Sequence, residues 1–180
     1  MKTSTAVGVV AALAVAVGAW YWMLGSAVVP SESIVDYQNT TYTIEGQPVL
    51  LVNGRAETPA TPGSASKVVT QYFGNQATGD LNGDGVADIA FLLTQDPGGT
   101  GTFFYVVVAL KTANGYQGTS AVLLGDRIAP QTTEIRNGQM VVNYAERKAD
   151  DPMTAQPSVG VSKYLQVQGT SLVEAALVAS

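Results

Sequence analysis

The chain has 180 residues, with 9 Lys and Arg against 14 Asp and Glu, a formal net charge of −5, and 46% hydrophobic residues. The negative balance argues against nucleic acid as a partner, because that binding is carried by Lys and Arg. The lack of His and Cys excludes a Ser-His-Asp or Cys-His nucleophile, a zinc site of the usual type, any disulfide and a lipidated N-terminal Cys.

Lys2 is the only charged side chain before Glu32, and Thr5 to Leu24 is almost wholly apolar. As a helix this stretch would span roughly 30 Å, the thickness of a bilayer core. A cleaved signal peptide has a shorter apolar region, of about 7–15 residues. Trp20, Tyr21 and Trp22 cluster at the far end, as an interfacial aromatic belt would. Lys2 and the terminal amine favour a cytoplasmic N-terminus with the rest of the chain outside. Residues 1–26 are therefore expected to form a transmembrane anchor. The alternative is a signal peptide cleaved after the small residues Gly25-Ser26-Ala27. Gly8, Ala12 and Ala16 have the spacing of close-packing membrane helices, a pattern that an Ala-rich segment also produces by chance. Residues 27–36 read as a tether, and residues 37–180 as a β-rich domain.

Thr40 to Ile44 and Val49 to Asn53 are alternating or β-branched, with Glu45-Gly46-Gln47-Pro48 between them, which predicts a hairpin. Asn39-Thr40-Thr41 fits a glycosylation acceptor, a pattern common by chance. Asn53-Gly54 is a second turn, leading to Arg55 to Glu57. Thr58 to Ser66 has linker composition and reads as a long surface loop, since the preceding hairpin is too short to stand alone. Lys67 to Gly74 is apolar enough for a strand or a short helix, and periodicity does not decide between them.

Asp80-Leu81-Asn82-Gly83-Asp84-Gly85-Val86-Ala87-Asp88 comes next, and it is the stretch whose residue types and spacing specify chemistry. Ca²⁺ is a hard cation that takes about six to eight oxygen ligands. Asp80, Asn82 and Asp84 offer side-chain oxygens at alternate positions, Val86 its backbone carbonyl, and Asp88 a carboxylate that can bind directly or through water. Gly85 allows the sharp turn around the ion. Three carboxylates this close repel one another unless a cation resolves the charge. An EF-hand is excluded, since Phe91 stands where its bidentate Glu would be and both flanks read as strands. A metal-free hairpin turn would account for Asn82 to Gly85, but not for Asp80 and Asp88. The stretch resembles the D-x-[DN]-x-D-G-x-x-D loop of FG-GAP (VCBS, integrin-α-type) repeats. Asp80, Asn82, Asp84, Gly85 and Asp88 match that pattern, and Ile89 to Leu93 looks like the strand that follows it. The resemblance covers about Tyr72 to Thr94 in a single copy. A propeller needs several copies, so the resemblance implies the calcium loop and not the fold.

Val86 to Thr94 then reads as a buried strand, and Gln95 to Gly101 as a connection. Thr102 to Leu110 is the strongest strand pattern in the chain and is expected at the centre of a sheet. Asn114-Gly115 turns it into Tyr116 to Leu124. Thr132 to Arg136, Asn137-Gly138 and Gln139 to Arg147 form another hairpin. Ser158 to Gln168 is the last predicted strand. Ser171-Leu172-Val173-Glu174 fits a capping box and predicts a short C-terminal helix. The fold class that follows is mainly β: an antiparallel, sandwich-like β domain behind one N-terminal transmembrane helix. Gly125-Asp126-Arg127 with Glu134 and Arg136, and the group from Glu146 to Asp151, read as surface ion pairs and a solvated loop.

Phe73 to Leu93 and Leu124 to Ile135 also look like segments of small uncharacterised bacterial envelope proteins, a resemblance that implies no activity. The expected function is a non-enzymatic, calcium-stabilised domain outside the cytoplasm, tethered to the membrane and acting in binding or assembly. Its expected partners are the membrane, through the N-terminal helix, and a protein, a glycan or further copies of itself. One alternative is a surface-filament subunit whose apolar helix packs in the filament core, although the segment lacks the Glu near its start that type IV pilins carry. The other is a hydrolase of envelope polymers, disfavoured because no acid pair stands apart from the calcium loop.

Overall fold

The computed structural model describes residues 36–176. The expected anchor, nearly all of the expected tether and the last four residues lie outside the described residues. Among the described residues, every regular element is a β-strand, and no helix is long and apolar enough to cross a membrane.

Strands β1 (Thr41–Ile44) and β2 (Gln47–Leu50) form an antiparallel hairpin. Its turn is only Glu45-Gly46, with φ of 50° and 78°. Positive φ at both central residues gives the turn the twist that the flanking strands need. Strand β2 therefore begins at Gln47, two residues earlier than the sequence suggests. Pro48 is accommodated on a strand edge, where its missing N–H costs no ladder bond.

The largest sheet has the order β3 (Arg55–Pro59), β4 (Lys67–Gly79), β5 (Asp88–Asp96), β6 (Phe103–Thr112), β7 (Gly115–Gly118). Strand β8 (Val122–Asp126) pairs with the other half of the β6 edge. The predicted single strand Tyr116 to Leu124 is thus two strands. They part where the backbone of β1 intrudes: Thr43 N donates to Thr119 O at 3.2 Å, and Ala121 N donates to Thr43 O at 2.7 Å. Gly118 permits this approach, because a Cβ there would lie 2.2 Å from the Thr41 carbonyl oxygen. A second sheet has the order β12 (Ser171–Glu174), β11 (Val159–Gln168), β10 (Gln139–Glu146), β9 (Ala129–Arg136).

The C-terminal helix expected at Ser171 to Glu174 is a correction: the segment is β12, antiparallel to the end of β11. Gly169, at φ 61°, turns the chain back, and Leu172 is buried in the core while Ser171 and Glu174 face out. A helix would have surrendered that burial for one cap.

Strands β5 and β6 are apolar on both faces, which explains their unbroken hydrophobic runs. Ala90, Leu92, Phe104, Val106 and Val108 point to the four-stranded sheet and meet Met140, Val142 and Leu165. Phe91, Leu93, Tyr105 and Val107 point the other way and meet Tyr42, Ile44, Val49 and Leu51 of the hairpin region. The described residues thus stack in three layers: hairpin, large sheet, small sheet. Burying each such side chain stabilises the fold by roughly 1.5–3 kcal/mol. Strand β4 runs to Gly79, through a bulge where Gly74 and Asn75 take positive φ and the register to β5 shifts. Past the bulge the chain is delivered to residue 80 at the end of the sheet.

Candidate functional site

Residues 80–88 join β4 to β5, and both ends of this loop are held. Leu81 is buried in the core beneath it. Asp88, the first residue of β5, is 0% exposed, the only fully buried carboxylate among the described residues. Its Oδ2 accepts the Leu81 amide at 3.0 Å and its Oδ1 accepts the Lys111 amide at 2.9 Å. Asp88 thus closes the loop on itself and ties it to the end of β6. Sequence reasoning placed Asp88 among the ligands and did not see its second partner, which lies 23 residues away.

The remaining candidates stand on the open side. Asp80 accepts the amides of Gly83 (2.7 Å, Oδ1) and Gly85 (2.8 Å, Oδ2). The Gly85 and Gly83 amides hold its carboxyl below the ordinary value, because N–H donors favour the charged form. Gly85, at φ 82°, turns its amide back toward Asp80. Asp84 Oδ1 accepts the Val86 amide at 2.7 Å, and Asp84 Oδ2 accepts Asn82 Nδ2 at 2.9 Å. Asn82 Oδ1 accepts the Asp84 amide at 3.0 Å. Asn82, Asp84 and Val86 are exposed, and Asp80 is half-buried.

The donor set is wholly oxygen, as a hard cation requires. A carboxylate has about four lone-pair sites, so Asp80 and Asp84 keep acceptor capacity beyond the bonds they make. Among the described residues, no Lys or Arg forms an ion pair with Asp80, Asp84 or Asp88. Neither do three or more acids converge into a ready-made metal cluster among those residues. The loop is therefore a pinned arc with exposed oxygens, and its candidate metal-binding groups do not form such a cluster.

The other charged residues separate. Asp126 accepts from two nitrogens of Arg127, with Nη2 donating to Oδ2 at 2.8 Å, and approaches Arg147 at 3.8 Å. The Arg127 guanidinium holds its carboxyl below the usual range. Glu134 pairs with Arg136 on β9 and does not join them. Lys148 donates its amide to Asp151 Oδ2 at 3.3 Å, closing a turn.

No family model, curated protein or solved structure matches this chain.

Proposed function

We propose that the domain is a non-enzymatic module outside the cytoplasm, held to a membrane by residues 1–26, whose 80–88 loop binds Ca²⁺ as a structural staple. In this reading Asp80, Asn82, Asp84 and the Val86 carbonyl supply the ligands. Asp88 forms the buried base that keeps the arc in place. The observation that carries the proposal is a pair of carboxylates, half-buried Asp80 and exposed Asp84, pre-oriented by loop amides and without a basic partner among the described residues. A cation drawing these groups together would neutralise their repulsion and order the link between β4 and β5. An ion that binds only the folded state stabilises it by mass action, which suits a chain without disulfides.

Titration calorimetry on the full chain in mild detergent tests the metal. The expected result is one Ca²⁺ per chain, weaker heat with Mg²⁺, and no binding in the Asp80→Asn, Asp84→Asn double variant. Equal binding by that variant overturns the ligand assignment. The anchor is tested by carbonate extraction of membranes from cells expressing the chain: retention in the pellet is expected, and release into the supernatant contradicts it.

A further inference from the structure

The hairpin β1–β2 covers only part of its side of the large sheet. Between its turn and strands β3 to β5 lies a cleft of about 380 Å³. Small-molecule sites range over about 300–1,000 Å³. Its apolar lining is Ile44, Pro48 and Val49 on the hairpin side and Pro59, Ala60 and Val68 on the sheet side, and Gln47 and Thr58 also border it. Pro48 and Pro59 have no backbone N–H to offer. Two of its polar side chains, Glu45 and Gln95, keep an acceptor oxygen open. Glu45 sits at φ 50°, a conformation where a two-residue turn prefers Asn, Asp or Gly. Its Oε1 accepts the Tyr105 hydroxyl at 2.8 Å, and no hydrogen bond or ion pair engages its Oε2 among the described residues. Gln95, across the cleft, donates Nε2 to Thr70 Oγ1 at 3.2 Å. That bond leaves the Gln95 side-chain carbonyl open. The cleft therefore combines apolar patches, one anchored carboxylate and one open side-chain carbonyl.

We propose that this cleft binds a primary alkylammonium group, the chemistry shared by a lysine side chain and a small free amine. The ammonium donates to Glu45 Oε2 and Gln95 Oε1, and the alkyl stem lies on Ile44, Val49 and Val68. An ammonium has three donors and no acceptor capacity, which is the complement of the open oxygens of Glu45 and Gln95. The pairing is charge-assisted, the strong class of hydrogen bond. This site lies apart from residues 80–88 and stands whether or not they bind metal.

The test is an amide-resolved NMR titration of the full chain in mild detergent. The probes are n-butylammonium chloride and Nα-acetyl-lysine methylamide, with 1-butanol and sodium butyrate as comparators. Saturable shifts are expected at the amides of residues 44–47, 49, 68 and 95. The two comparators should bind at least about tenfold more weakly, and Glu45→Gln should weaken butylammonium by about tenfold. If both probes shift these amides, a peptide-borne lysine is a competent source. If butylammonium alone does so, the site takes a free amine. Absence of saturable shifts with either probe, equal shifts with 1-butanol, or unchanged affinity in Glu45→Gln overturns the proposal. Should Glu45→Gln lose its dispersed spectrum, Gln95→Leu removes the second acceptor, and unchanged affinity there overturns it as well.

Discussion

Replacing Asp88 with Ala should unlatch the loop without touching its exposed face. The substitution removes the acceptor of two backbone donors, Leu81 N at 3.0 Å and Lys111 N at 2.9 Å. A hydrogen bond to a charged group contributes about 1.5–3 kcal/mol, and a buried donor left alone costs about 1–3 kcal/mol. The Leu81 bond is buried and incurs that loss in full, whereas the Lys111 bond is part-buried and its amide can recover water. The expected destabilisation is therefore about 3–4 kcal/mol, toward the lower end of the sum. Domains are commonly stable by about 5–15 kcal/mol, so the variant should fold but unfold early. Asp88→Asn keeps one acceptor oxygen and sets an NH₂ against the other amide, so it should lose roughly half to two-thirds as much. The assay is urea unfolding of the full chain in detergent, followed by far-UV circular dichroism, with EDTA present so that any metal contribution is absent. A loss below about 1 kcal/mol for Asp88→Ala in EDTA would refute the latch, since an exposed carboxylate behaves that way.

Leu172→Ala should cost about 2–4 kcal/mol in the same unfolding assay, because it empties a core position of β12; a neutral result would return the segment to a surface helix. Gly118→Ala should destabilise by about 1–3 kcal/mol, toward the upper end, since the clash is with the backbone oxygen of Thr41 and not a flexible side chain. Glu57, bonded to Lys67 and Arg55 on an exposed strand, has its carboxyl lowered from 4.5 to about 2. A depressed folded value means that its contribution is present above the ordinary value and is lost as pH falls through about 2. Solvent screening at this exposed site weakens the pair, so a carboxyl-carbon NMR titration should show a midpoint below the ordinary value by less than the full shift, and Lys67→Ala should move it back. Because the pair is exposed, the same substitution should leave unfolding nearly unchanged.

What could be read from the sequence follows physical locality. Asn53-Gly54 and Asn137-Gly138 specify their turns through two adjacent residues, and both turns form as expected, with Asn at positive φ. Thr102 to Leu110 was legible as a central strand because a strand buried on both faces carries an unbroken apolar run. The spacing of Asp80, Asn82 and Asp84 is local too, and the structure keeps them on one exposed arc. The misses depend on distant partners. The bulge at Gly74 and Asn75 breaks the period of β4, so its full length did not show in the pattern. The interruption between β7 and β8 is imposed by the Thr43 backbone, more than seventy residues upstream. Ser171 to Glu174 satisfies a helix-start pattern, but Leu172 packs into a core assembled from both sheets. Asp88 stands at a ligand spacing, and what the spacing does not show is its tie to Lys111, which is invisible to any local rule.

Thermal unfolding of the full chain in Ca²⁺, in Mg²⁺ and in EDTA, with Asp84→Ala alongside, tests the central proposal most directly. At a Ca²⁺ concentration of about 100 times Kd, mass action adds about 2.7 kcal/mol. For a domain of this size that raises the midpoint by roughly 10 °C. A calcium staple gives such a rise with Ca²⁺, little rise with Mg²⁺, and none in Asp84→Ala. A midpoint indifferent to Ca²⁺ in both proteins would contradict it and reduce residues 80–88 to a turn latched by Asp88.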